Sequence, residues 1–105
     1  MLSKKYRLKG ADIYAKKGRK ISFKFFVLVK SENTLDYPRF AFIISKKISA
    51  KAVVRNRIKR AFSEKVRSLL PEIEQGVDYI FFVRGAVVDA NSQEIENEIE
   101  KCLKK

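Results

Sequence analysis

Apolar and polar positions first alternate along Ile21–Lys30, I-S-F-K-F-F-V-L-V-K, with Ile21, Phe23 and Phe25 on one side and Ser22 and Lys24 on the other. A two-residue period in a β-branched and aromatic segment predicts a strand. After Phe26 both faces are apolar, so the strand is covered on both sides at one end and partly open at the other. In this reading Phe23, Phe25, Val27 and Val29 share one face. Ser31–Pro38 carries the turn formers Ser31, Asn33, Asp36 and Pro38 and connects to a second strand, Arg39–Ser45, expected to run antiparallel to the first. The period then changes. Val54, Ile58, Ala61, Phe62, Val66 and Leu69 recur at i, i+4, i+7/8 and predict an amphipathic helix that stops near Pro71. Gly76 and Val77 lead into a third apolar strand, Asp78–Arg84. After a loop at Gly85–Ala90, Asn91 and Glu94 have capping-box spacing ahead of a helix, Ser92–Leu103, striped by Ile95, Ile99, Cys102 and Leu103.

Strand, helix and strand over Arg39–Arg84 make a βαβ unit with parallel neighbours, and general chain geometry predicts a right-handed crossover. At the N-terminus, Met1–Lys9 is an extended basic arm, and Ala11–Lys17, bracketed by Gly10 and Gly18, suits a two-turn helix with Gly18 at its C-terminal cap. Ile13 and Tyr14 on that helix pack on the sheet or line a groove. The fold class expected is therefore α+β in a single domain, residues 1–105. It has one small sheet of three to four strands, a central crossover helix, a short N-terminal helix and a C-terminal helix.

Charge turns this scaffold into a candidate interface. The net charge of +12 is uneven: residues 1–70 hold 20 Lys and Arg against 4 acids, and residues 71–105 hold 4 against 8. Between Ser45 and Arg67 nine cations face one acid, Glu64, whereas a salt-bridged surface helix interleaves both signs. At about 100° per residue the apolar stripe leaves Asn56, Arg60, Ser63 and Arg67 as an opposite ridge, with Arg57 and Lys59 flanking it and Arg55 at the border. Lys46, Lys47 and Lys51 crowd the loop before the helix. Unneutralised charge repels itself, and a polyanion that removes the repulsion fits better than solubility alone. Arginine forks suit phosphates, and Asn56 offers both a donor and an acceptor to a base or a 2′-hydroxyl.

Other chemistries find little support. There is no histidine, one cysteine, no zinc-site spacing and no glycine-rich phosphate loop. Asp12, Glu32, Asp36 and Glu64 stand singly, and Glu94, Glu96, Glu98 and Glu100 are spread around the last helix instead of converging, as expected of a solvated face. A metal-dependent protein nuclease would need clustered carboxylates or a general base. No apolar run reaches the roughly 20 residues of a membrane span, so a cytoplasmic location without a membrane partner is expected.

Ser45–Ile48, S-K-K-I, followed by Ala52–Arg60, A-V-V-R-N-R-I-K-R, resembles the signature of the bacterial ribonuclease P protein component. The resemblance implies a ribosomal protein S5 domain 2-like fold with a left-handed βαβ crossover, against the general expectation. It implies one protein bound per ribonuclease P RNA, the catalytic RNA, together with recognition of precursor tRNA. Lys46, Lys47, Lys51, Arg55, Asn56, Arg57, Lys59, Arg60 and Arg67 would contact RNA. A cleft between the sheet and the N-terminal helix would take the 5′ leader, with Ile13, Tyr14, Phe23 and Phe25 as candidates; for Phe23 and Phe25 an ordinary core position is the alternative. No catalytic residue and no cofactor would belong to the protein alone, with Mg²⁺ held by RNA in the holoenzyme. The chain departs from the family pattern in the Ser49–Lys51 loop, one residue longer and without glycine, in having Ser63 where a further arginine is usual, and in lacking paired phenylalanines near the N-terminus. A ribosomal or general RNA- or DNA-binding domain is the competing reading.

Overall fold

The structure, a computed structural model, describes residues 4–8 and 18–103. Four strands, β1 (Arg19–Ser22), β2 (Phe26–Glu32), β3 (Arg39–Ile43) and β4 (Val77–Val83), form one mixed sheet in the order β1-β2-β4-β3. Two helices accompany it, α1 (Ala52–Leu69) and α2 (Ser92–Leu103). The α+β architecture matches expectation in its parts, with several assignments revised.

The single strand expected over Ile21–Lys30 is a hairpin. β1 and β2 pair antiparallel from Arg19↔Lys30 to Ser22↔Val27, and the chain reverses through Phe23–Phe25, where the Phe23 N–H donates to the Phe26 carbonyl at 2.8 Å. No described residue other than Gly76 has a positive φ, so this turn uses neither glycine nor proline and leaves no mark in an aromatic run. The bend redirects the side chains. Phe25 lies in the large core with Phe26 and Leu28, while Val29 lies in a smaller cluster on the other face, so Phe23, Phe25, Val27 and Val29 do not share a face.

The second strand runs antiparallel to the first, as expected, and the structure adds the strand order, which the sequence left open. β3 runs opposite to β2 but does not pair with it, because β4 inserts between them, antiparallel to β2 and parallel to β3. Six of the seven β4 residues are buried, as a central strand requires. Gly18 also has another role than the one expected. Its φ is not in the left-handed region of a helix cap, and a Cβ there would sit 2.1 Å from the Lys30 carbonyl oxygen, so glycine is needed for close strand approach.

Both helices pack on one face. Ile58, Phe62, Val66 and Leu69 of α1 and Ile95, Ile99 and Leu103 of α2 meet Phe26, Phe40, Tyr79 and Phe81. Phe62 contacts Phe26, Phe42 and Phe81 with ring centroids 5.7, 5.9 and 5.8 Å apart, the range of favourable tilted and edge-on arrangements. The other face carries the smaller cluster of Leu8, Val29, Ala41 and Ile80. At one end of the sheet the fully buried Asp78 accepts from Arg39 Nε (2.9 Å), Arg39 Nη2 (2.8 Å) and Asn33 Nδ2 (2.8 Å), which compensates its desolvation.

The crossover β3–α1–β4 is left-handed, and the hydrogen bonding requires it. Phe42 packs on Phe62 of α1, so Phe40, two residues before it, also faces the helix. The Phe40 carbonyl accepts from the Leu8 N–H at 2.8 Å, on the edge of β3 away from β4. For an L-residue in a strand drawn upward with its side chain toward the viewer, the carbonyl points right. Leu8 therefore lies to the right of β3 and β4 to its left, with α1 in front, which is the left-handed connection. The general preference for the right-handed form does not hold in this chain.

The predicted ends of both helices hold. α1 passes into a 3₁₀ turn at Leu70–Glu72 containing Pro71. At α2 the Glu94 N–H donates to Asn91 Oδ1 at 2.9 Å, and the Asn91 N–H reaches Glu94 Oε1 at 3.5 Å.

Candidate nucleic-acid interface

The outward side of α1 presents Asn56, Arg57, Lys59, Arg60 and Arg67, all exposed. The approach loop adds exposed Lys46, Lys47 and Lys51. Lys51 occupies the N-cap position with no side-chain cap bond, and the first turn holds no acid. The positive end of the helix dipole thus reinforces the lysines, an arrangement suited to phosphate. Among the described residues none of Lys46, Lys47, Lys51, Arg57, Lys59 and Arg60 has an ion-pair partner.

Three predicted members behave differently. Arg55 is half-buried and its Nη1 donates to the Ser49 carbonyl at 2.9 Å, while the Ser49 hydroxyl accepts the Lys51 N–H at 3.2 Å. Arg55 therefore ties the lysine loop to the helix that follows it. Arg67 pairs with Glu64, Nη2 to Oε2 2.9 Å, and both side chains are exposed, so the pair is screened and yields readily to a phosphate. Ser63, expected on the ridge, is 4% exposed. It lines a hollow of about 290 Å³ with Asn56, Lys59 and Arg60. A helical wheel assigns Ser63 away from α1's own stripe but carries no information about what else packs there.

The leader candidates fare unevenly. Ile13 and Tyr14, with the predicted N-terminal helix, lie outside the described residues. Phe25 is 4% exposed and Phe23 packs against the same core, so both rings sit on the helix side of the sheet, the core alternative. The opposite face shows a set that periodicity over one long strand did not reveal. Val27, Ile43 and Phe82 are half-buried there beside the exposed Lys20, Ser22 and Arg84. Arg84 Nη2 donates to Ser22 Oγ at 3.1 Å. The alternation Ile80, Phe82, Arg84 along β4 was the available signal, masked by the apolar residues between them.

Two further groups fix their surroundings without taking part in the basic face. Glu98 of α2 accepts the Phe25 N–H at 2.7 Å and anchors the hairpin turn. Cys102 donates its thiol to the Ile99 carbonyl at 3.1 Å, and burial pushes its pKa up to about 12, so it is a packed, neutral thiol. Among the described residues no three His, Cys, Asp or Glu side chains converge in a way that could hold a metal ion. No helix among them is long and apolar enough to cross a membrane.

This fold and face define a small α+β protein whose one long helix is built to meet a polyanion. The family model described as Ribonuclease P matches residues 2–105. The ribonuclease P protein component of Thermoanaerobacter sp. (strain X514) is 36% identical over 104 residues, 99% of this chain and 86% of the relative. That of Caldanaerobacter subterraneus subsp. tengcongensis is 39% identical over 88 residues, covering 84% and 75%. The structure of a Staphylococcus aureus RNase P protein mutant with defective mRNA degradation activity superposes with a TM-score of 0.87 at 33% identity, over 93% of this chain and 85% of the other. The Thermotoga maritima RNase P protein gives 0.82 at 24% identity, over 93% and 94%, a likeness of fold. The chain belongs to the ribonuclease P protein family. Membership places it in tRNA processing, as an RNA-binding component partnered with the ribonuclease P RNA.

Proposed function

We propose that this protein binds the catalytic RNA of ribonuclease P through the outer face of α1 and the Lys46–Lys51 loop, and holds the 5′ leader of precursor tRNA along the second face of the sheet. The observation that carries the reading is the run of exposed cations at Lys46, Lys47, Lys51, Arg57, Lys59 and Arg60, with no ion-pair partner among the described residues, in a chain of this family. Arg55 orders the loop, and Arg67 joins the face when phosphate replaces Glu64. Half-buried Val27, Ile43 and Phe82 offer a surface on which unpaired bases stack, and Lys20 and Arg84 supply charge for the backbone between them.

In this reading the protein carries no catalytic residue, and one copy serves each RNA. Magnesium supplies the nucleophile and charge stabilisation for hydrolysis and is held by the RNA. The described residues, lacking a carboxylate cluster, do not form a cage of the oxygen ligands that Mg²⁺ prefers. The protein's part is to neutralise phosphates and position the leader, so that cleavage yields the mature tRNA 5′ end in the cytoplasm.

Reconstitution with the ribonuclease P RNA of the same organism tests this. At low Mg²⁺ the protein is expected to stimulate precursor-tRNA cleavage, more for substrates with a leader several nucleotides long than for a one-nucleotide leader. Absence of stimulation would refute the proposal.

A further inference from the structure

α1 and α2 do not close against each other along their whole length. Between them lies a hollow of about 310 Å³ lined by Arg57, Ile58 and Ala61 of α1, by Val87, Val88 and Ala90 of the connecting segment, and by the start of α2 at Asn91, Ser92 and Ile95. Its lining is mixed. Ile58, Val87 and Ile95 are buried apolar groups, Ala61 is small, and Asn91 and Ser92 bring polar atoms to the rim. The size is at the low end of the roughly 300–1,000 Å³ of small-ligand pockets, enough for one ring system and too small for a peptide segment.

Exposure singles out the same place. Val53 (80% exposed) and Val88 (36%) are the exposed large hydrophobics among the described residues. Val53 stands one helical turn before Arg57, and Val88 lines the hollow with Arg57. Val53 is set among the cations of α1 and Val88 faces Arg57 across the hollow; exposed apolar side chains beside such cations suit a partner that is anionic and aromatic at once. An apolar floor, polar rim groups and an arginine at the mouth match a nucleotide, with the base in the hollow and its phosphate on the guanidinium.

We propose that this hollow receives a single unstacked nucleotide of the RNA that α1 binds, and that Arg57 is therefore a base-locking residue as well as a phosphate contact. The inference rests on the RNA-binding reading of α1 but adds a site which the cation face does not require. Glu94 also stands at this end of α2, engaged with Asn91, so the phosphate belongs on the Arg57 side of the hollow.

Filling the hollow while keeping every cation provides the test. With ribonuclease P RNA as the probe, Ala61→Phe is expected to weaken binding roughly tenfold, within what one stacked base contributes, and to leave the slope of log Kd against log salt unchanged. Ser92→Trp, at an exposed rim position, is expected to act in the same direction and serves if Ala61→Phe fails to fold. In a Val88→Cys variant the new thiol is expected to alkylate freely in the protein alone and to be protected by the RNA. The native Cys102 thiol, held neutral, gives a low background. Wild-type affinity in the folded filling variants, or an unprotected Cys at position 88, would overturn the proposal. Arg57→Gln separates the two layers. If it and the filling variants all bind like wild type, the RNA-binding reading of α1 fails; if only the filling variants do, the nucleotide site alone fails.

Discussion

The salt dependence of RNA binding tests the interface most directly, because the structure says which cations are available. On the outer face of α1 and in the loop before it, six exposed cations have no ion-pair partner among the described residues: Lys46, Lys47, Lys51, Arg57, Lys59 and Arg60. If each neutralises one phosphate, the slope of log affinity against log salt is about −4 on single-stranded and about −5 on duplex RNA-like backbone, and a fourfold rise in salt weakens binding by about 300- to 2,000-fold. Arg57→Ala should make the slope shallower by about 0.7–0.9. Arg55→Ala should not: its guanidinium is held by the Ser49 carbonyl, so its loss should lower affinity through a loosened lysine loop at nearly unchanged slope. Glu64→Gln frees Arg67 and should steepen the slope by about one phosphate while tightening binding. Fluorescence anisotropy of labelled ribonuclease P RNA, titrated at four or more salt concentrations, measures all three. Equal slope changes for Arg55→Ala and Arg57→Ala would refute the division between a loop-tying and a phosphate-facing arginine.

Further predictions concern the scaffold. Phe62→Ala, which empties a fully buried site touching Phe26, Phe42 and Phe81, should cost about 3–5 kcal/mol in denaturant titration. Arg39→Met should cost about 2–3 kcal/mol by leaving the buried Asp78 carboxylate with Asn33 as its remaining partner among the bonds described above, somewhat less than a fully buried pair because Arg39 is 21% exposed. Stability should fall in alkali. The fold keeps the Cys102 thiol neutral, so its contribution is complete below about 9 and is lost as pH climbs toward about 12, and Tyr79, also raised by burial to about 12, adds to the loss from about 10 upward. Urea midpoints at about pH 8 and pH 10.5 check the sign, and native Cys102 should resist alkylation at the lower pH until the protein is unfolded.

How much could be read beforehand depended on how far each feature is encoded locally. α1 was legible because a stripe of six apolar residues and a nearly acid-free polar side coincide in one helical period, and α2 because Asn91 and Glu94 form a local cap. The β1–β2 hairpin was not, since its turn is made of Phe23, Lys24 and Phe25, residues that favour strands and need no special backbone angle. That one miss also put Phe23 and Phe25 on one face with Val27 and Val29, because a turn in an alternating run changes which side chains share a face. Strand order was hidden for a different reason. β3 and β4 meet only after the 18-residue α1 has crossed the sheet, and nothing in either strand's composition says that β4 will enter beside β2. The burial of Ser63 and the tethering of Arg55 depend on contacts outside the helix's own period, so α1 by itself assigned Ser63 to the wrong environment and, while placing Arg55 rightly at the border, did not show its bond to the Ser49 carbonyl.

The topology also does something to the charge that a count along the chain cannot show. β2 opposes β4 with Phe26 beside Val83, and β3 ends with Ile43 beside Phe82, so the Lys24 turn, Arg84, the Lys46–Lys51 loop and the start of α1 all gather at one end of the sheet. The opposite end receives Glu32 beside Val77, the Asp36 loop, and Glu72 and Glu74 between α1 and β4, together with Lys4, Lys5 and the Arg39–Asp78 pair. The same end also holds Arg19 opposite Lys30, so its acids are matched by cations, whereas the other end is strongly basic, and the N-terminus of α1 adds roughly half a positive charge at that basic pole. A polyanion is steered to that pole before any specific contact forms. What it meets there is the uncapped end of α1, with the lysine loop held in place by Arg55 and the Arg57 hollow one turn further on. The direct passage from β3 through the loop into α1 thus brings the helix N-terminus, the tethered loop and the hollow to one end of the sheet, and one bound RNA can engage all three together.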